Sequence, residues 1–213
     1  MIDPLNLILV LAGAAILPFI AIVATSYIKI SVVFLLLRNA LGVQQIPPNS
    51  ALNALAIILS AYIMAPILIE TAQILAEGNY SFDSVESVGA AFNDSKGPLI
   101  SWLERHADQR ERTYFLEAAR ELWPESMHDL LTPDSIAVLL PAFTVSQLRE
   151  AFEIGFLLYL PFIAIDLIVS NILLAMGMMM VSPLTISLPF KLFLFVMVDG
   201  WSRLILGLIT TYS

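Results

Sequence analysis

Four apolar runs, each about as long as a helix that crosses a membrane, constrain this chain more than any other feature. The first fills residues 5–24, interrupted only by Asn6 and Pro18, and continues past Lys29 to Arg38. The others cover residues 51–76, 152–176 and 190–209. About 20 apolar residues span a hydrocarbon core of roughly 30 Å as a helix, and lipid offers backbone amides no partner outside the helix itself. Between the first two runs, Gly42, Pro47 and Pro48 cannot continue a helix, so residues 39–49 form a turn. A second break lies at 177–189. The fold class predicted is an all-α integral membrane protein: two long helical hairpins, four apolar helices in all, with a small helical acidic insert between them. A chain that is 59% hydrophobic and 13% charged agrees with this.

Charge marks the insert. Residues 77–134 carry 12 of the 18 acidic and five of the ten basic residues, a net −7 out of −8. Three parts follow: an N-terminal hairpin (1–76), an acidic extracytoplasmic insert (77–134) and a C-terminal hairpin with a methionine-rich tip (135–213). Inside the insert, Leu103, Ala107, Tyr114, Ala118 and Leu122 fall near one face of an amphipathic helix over 101–123, which Pro124 stops. Lys29 and Arg38 mark the first hairpin turn as cytoplasmic. The insert and both termini then lie outside, and the uncharged second turn is placed by parity alone. Asp3 ahead of the first run, where a signal peptide carries Lys or Arg, predicts that the run is retained.

Several function classes drop out. An acidic chain has no basic surface to neutralise phosphates, so no nucleic-acid partner is expected. With no cysteine, thiolate metal sites and disulfides are excluded. The two histidines, His106 and His128, both sit in the insert, and no metal or other cofactor is expected. Neither HisGluXxxXxxHis, GlyXxxSerXxxGly nor a glycine-rich phosphate loop occurs, so no enzyme is predicted.

Ionisable residues stand where lipid penalises them: Lys29, Glu70, Glu153, Asp166, Lys191, Asp199 and Arg203. Each costs roughly 2.5–3.5 kcal/mol at a helix centre. Spacing offers two solutions. Arg149 with Glu153, and Asp199 with Arg203, are i, i+4 pairs within one helix. Straight hairpins instead set Lys29 opposite Glu70 across the first turn and Asp166 opposite Asp199 across the second, with Arg203 one turn away. Seven such residues are too many for four helices alone in lipid, which predicts a protein-lined, multi-subunit setting. A proton-coupled transporter or ion channel is the alternative, since it would also use Glu70, Asp166 and Asp199. An aspartyl intramembrane protease would need Asp166 and Asp199 as its dyad, but its motifs are absent.

The sharpest local feature is MetGlyMetMetMet at 176–180, half of the chain's eight methionines in five positions. Methionine is flexible, apolar and polarisable. Contributed by several copies, such side chains would close a pore and still yield around passing objects. Spacing alone favours the blander reading, that they fill a helix end inside the membrane.

Three segments resemble the FliP/SctR (YscR) family, the R subunit of the type III secretion export gate. They are SerTyrIleLysIleSerValValPheLeuLeuLeuArgAsnAlaLeuGlyValGlnGlnIleProPro at 26–48, ProAlaPheThrValSerGlnLeuArgGluAlaPheGluIleGlyPhe at 141–156, and the stretch from Asp166 to Trp201. The last includes Pro189, Lys191, Asp199 and Gly200. The resemblance covers about 5–76 and 135–213 and leaves the insert aside. It implies a homo-oligomer of five copies, joined by the S (FliQ-like) and T (FliR-like) subunits, with U (FlhB-like) and V (FlhA-like) subunits as further partners. Unfolded secreted proteins would pass along its axis, across the inner membrane of a Gram-negative cell, with the insert in the periplasm. It maps the axial gasket onto Met178, Met179 and Met180, with Met176 beside them. It also implies that some helices leave the plane of the lipid on assembly, their polar groups held between subunits. Flagellar members begin with a cleavable signal, so the injectisome branch is expected here.

Overall fold

The protein is described here from a computed structural model, covering residues 4–43, 45–78, 80 and 85–213. Asp3 and Asp83, which entered the charge argument, lie outside these residues. Among the described residues every regular element is a helix: α1 (Pro4–Val23), α2 (Tyr27–Leu41), α3 (Asn49–Glu77), α4 (Val85–Ser95), α5 (Gly97–His106), α6 (Gln109–Leu122), a 3-10 helix (Glu125–Leu130), α7 (Ile136–Ala175), α8 (Pro183–Met197) and α9 (Gly200–Thr210). The all-α membrane fold stands. Helices α3 and α7 are each long and apolar enough to cross a membrane alone, and α1 with α2, and α8 with α9, do so as broken pairs. Pro18, Pro66 and Pro189 lie inside α1, α3 and α8. Each removes one backbone hydrogen bond, a loss that membrane helices absorb.

Element ends differ from the apolar runs in four places. The first run breaks at residues 24–26, between α1 and α2. The third helix starts at Ile136 rather than 152, because the segment before Phe152 is helical too and buries Val138, Leu139, Ala142 and Phe143. The fourth restarts at Pro183, where proline at the first helical position costs nothing, so Pro189 is interior. It breaks again at Asp199, whose left-handed φ of 51° turns α8 into α9 with a 61° bend.

By its internal contacts the chain forms two compact units, Met1–Ile28 with Ser60–Gln147, and Lys29–Leu59 with Leu148–Ser213. In the first, α7 buries Val138, Leu139, Ala142 and Phe143, an i, i+1, i+4, i+5 stripe that only a helix brings to one face. Trp102 of α5 packs there, its ring centroid 6.5 Å from that of Phe143. Two hydrogen bonds fasten the insert to the same helix: the Asp108 backbone N–H donates to Ser146 Oγ at 2.9 Å, and Gln147 Nε2 donates to the His106 carbonyl at 3.1 Å.

The helix expected over 101–123 is therefore two helices. Asp108 is the N-cap of α6, its carboxylate accepting from the Arg110 N–H at 2.8 Å, and a good N-cap residue competes with continuation. Leu103 and Ala107 are buried, but Tyr114 and Leu122 are 64% and 80% exposed, and α6 buries nothing. Pro124 ends α6 as expected.

In the second unit α2 buries Lys29, Ile30, Val33, Phe34, Leu37, Ala40 and Leu41 along one face. Helix α7 approaches it so closely that a Cβ on Gly155 would lie 2.2 Å from Leu36 Cδ1. Leu37, Ala40 and Leu41 share a core with Phe162 and Phe195. Trp201 sets its ring edge-on to Phe195 and Phe34, with centroids 5.5 and 6.0 Å away, and so braces the elbow between α8 and α9.

Candidate functional site

Helix α7 ends abruptly, and the manner of its ending fixes the methionines. Gly177 takes φ 72°, a left-handed conformation that glycine adopts without strain. The Gly177 N–H then donates to the Leu174 carbonyl at 3.0 Å and the Met178 N–H to the Leu173 carbonyl at 2.9 Å. Those two bonds define a Schellman motif, which satisfies carbonyls left open at the helix end. A turn closed by the Val181 N–H on the Met178 carbonyl leads to Ser182 and α8. The methionines thus occupy a short hydrogen-bonded link between two helices. Met176, Met178, Met179 and Met180 are 65%, 41%, 81% and 100% exposed. Their apolar thioethers project from a backbone that needs nothing from them.

Behind the tip, two buried lysines are each held by a carboxylate of α7. Lys29 of α2 meets Glu150 at 2.6 Å, donates to Thr211 Oγ1 at 3.1 Å and lies 4.0 Å over the Tyr212 ring. Lys191 of α8 meets Asp166 at 2.6 Å and donates to the Ala40 carbonyl at 3.1 Å, and Ser187 donates to the other Asp166 oxygen at 2.6 Å. A buried ammonium is tolerated when its donors are used in this way. The first clamp joins α2, α7 and the chain's last residues. The second joins α2, α7 and α8.

These contacts replace two of the expected pairings. Lys29 takes Glu150 where straight hairpin geometry pointed to Glu70, which is exposed on α3. Asp166 takes Lys191 and Ser187, whereas Asp199 is exposed at the elbow with Arg203, also exposed, in the next turn. Counting outward from a turn assumes straight antiparallel neighbours. The structure instead brings α7 beside both α2 and α8, and each lysine finds its carboxylate there. The local pair of Arg149 and Glu153 is present, at 3.7 Å, on an exposed part of α7. Among the described residues, no group of three or more His, Asp or Glu is placed to hold a metal ion.

The sequence model of the FliP family matches residues 10–208, nearly the whole chain and all of the tip and both clamp lysines. The chain belongs to the FliP family. Similar members include the Yop proteins translocation protein R of Yersinia pestis, 56% identical over 211 residues, covering 99% of this chain and 97% of that one. The virulence protein YscR of Salmonella typhimurium is 48% identical, over 99% of this chain and 98% of its own. The hypersensitivity response secretion protein HrcR of Ralstonia nicotianae is 47% identical, over 97% and 96%. The expected resemblance is thereby established.

In this FliP-family chain, sequence reasoning missed Glu150, Ser187, Thr211 and Tyr212. A signal existed for the first. The buried stripe 138, 139, 142, 143 continues in steps of four through Ser146 and Gln147 to 150 and 151, which puts Glu150 at the edge of that stripe. For Thr211 and Tyr212 there was none, because their contacts arise only once α9 folds back on Lys29.

Proposed function

We propose that this chain is a core subunit of the type III secretion export gate of the injectisome. Five copies, with S (FliQ-like) and T (FliR-like) subunits, form a conduit for unfolded proteins across the inner membrane of a Gram-negative cell. U (FlhB-like) and V (FlhA-like) subunits complete the apparatus, and the acidic insert faces the periplasm. Relatives named for protein translocation, virulence and hypersensitivity-response secretion support a place in secretion. The observation that carries the closure is the tip: exposed thioethers at 176 and 178–180 on a link whose backbone is capped by Gly177. A ring of Met178, Met179 and Met180, with Met176 beside them, excludes ions and water by being apolar and yields to a chain because thioether side chains are flexible.

The part played by this chain is passive: it shapes and closes a path, and the energy for transport comes from other components. Glu70, Glu153, Asp199 and Arg203, exposed in the single chain, are polar contacts between subunits in the assembled gate. Of the three carboxylates that the transporter alternative would use, Asp166 already holds Lys191 at 2.6 Å, which counts against that alternative. The test replaces Met178, Met179 and Met180 together by Ala in the assembled complex. Assembly should be retained and ions should leak across a planar bilayer; unchanged conductance refutes the closure.

A further inference from the structure

Four neighbouring thioethers on a capped link offer more than a plug. Met64 is 3% exposed and sealed within its unit, whereas Met179 and Met180 are 81% and 100% exposed. Met127 in the 3-10 helix and Met197 at the end of α8 are exposed too, at 47% and 66%, but each stands alone. Among the described residues, the tip alone gathers several sulfurs that are exposed in the single chain, and every copy of the chain would bring the same set there.

We propose that Met178, Met179 and Met180 form a methionine-oxidation site through which peroxide or hypohalous oxidants loosen the closure, an inference that rests on the gate reading above. In the peroxide case a sulfur lone pair attacks one peroxide oxygen, an S–O bond forms as the O–O bond breaks, and the departing hydroxide takes the proton from that oxygen to leave as water. With a hypohalous acid the sulfur first takes the halogen, releasing hydroxide, and water then displaces halide and forms the S–O bond, releasing two protons, one of which neutralises that hydroxide. In both the sulfur loses two electrons to the oxidant. The product is a sulfoxide, a polar acceptor where an apolar thioether stood. A hydrophobic constriction closes by shedding water, so acceptors pointing into it draw water back. The change is confined to side chains, because the Gly177 and Met178 backbone bonds that hold the tip involve no sulfur. It is also reversible, since sulfoxide reductases for the two epimers restore the thioether.

The experiment uses the assembled complex in planar bilayers, treated with hydrogen peroxide and analysed in parallel by peptide mass spectrometry. Added oxygen at 178–180 should track a several-fold rise in ion conductance, which reductase treatment returns to the starting level. Changing all three to Leu keeps the apolar bulk and removes the sulfur, so that variant should stay closed and ignore peroxide, while Met127→Leu should respond as the unaltered protein does. Tip oxidation with no conductance change overturns the inference, as does an unoxidised tip at doses that oxidise Met127. So does a rise that reductase cannot reverse, or a Leu variant that still responds. If the Ala variant leaks but oxidation does nothing, the oxidation site alone falls; if the Ala variant stays closed, the closure falls with it.

Discussion

Replacing Glu150 with Ala strands a buried ammonium. Lys29 is 1% exposed and Glu150 36%, so the two partners suffer unequally when separated. Removing one member of a buried pair costs about 3–5 kcal/mol. Because Lys29 keeps the Thr211 hydroxyl and the Tyr212 ring, the low end, about 3 kcal/mol, applies to Glu150→Ala. Lys29→Met removes the charge and keeps the packing, and the carboxylate it leaves still reaches solvent. Its cost is the lost hydrogen bonding, about 1 kcal/mol. At roughly 2–4 °C per kcal/mol for a chain of this size, Glu150→Ala should lower the melting temperature by roughly 6–12 °C and Lys29→Met by roughly 2–4 °C. A Lys29→Met, Glu150→Leu double variant should recover most of the loss, since well-packed apolar residues replace buried pairs at little cost. Thermal unfolding of the detergent-purified protein, followed by loss of its monodisperse peak in size-exclusion chromatography, measures all three. Equal losses for the two single variants, or a double variant as damaged as their sum, would refute the account of a stranded charge.

Gly155→Ala should destabilise by about 1–3 kcal/mol through overpacking against Leu36, and Leu36→Ala in the same chain should recover part of that loss, read from the same melting curves. Asp108→Ala removes the α6 N-cap and should cost about 1 kcal/mol. Hydrogen exchange should rise in residues 109–113 while bilayer conductance of the assembled complex stays unchanged.

Where the chain stops a helix was largely legible in the sequence, and where it resumes one was not. Gly42, Pro124 and Gly177 each end an element because their backbones cannot continue it, a property carried by single residues. The way α7 is held depends instead on Ser146 and Gln147 finding partners in α5 and Asp108, which no local pattern encodes. The methionine tip was legible because composition and chain break coincide there. The clamps were half legible: the lysines and Asp166 stood out as charges in apolar runs, but the partner of Lys29 was decided by how α7 packs on α2 and α9. Asp166 meets Lys191 of α8, eight residues and about two turns before Asp199, so the midpoint count that set Asp166 level with Asp199 misjudged the register.

Helix α7 has one further consequence, which comes from its length. Its 40 residues rise about 1.5 Å each, roughly 60 Å from end to end. A hydrocarbon layer of about 30 Å admits half of that upright, and to hold all of it the helix would have to lean about 60°, well past the roughly 40° limit of observed tilts. Whichever half lies in lipid, about five turns lie outside it. From Phe152 onward the helix displays Phe156, Leu157, Leu160, Ile163, Leu167, Ile168 and Leu174 on its surface, a row that suits lipid or other protein and not water, whereas the turns before it already bury Val138, Leu139, Ala142 and Phe143 within the chain. A helix built this way has its stability divided between two surroundings, one apolar medium outside the chain and one packed core inside it.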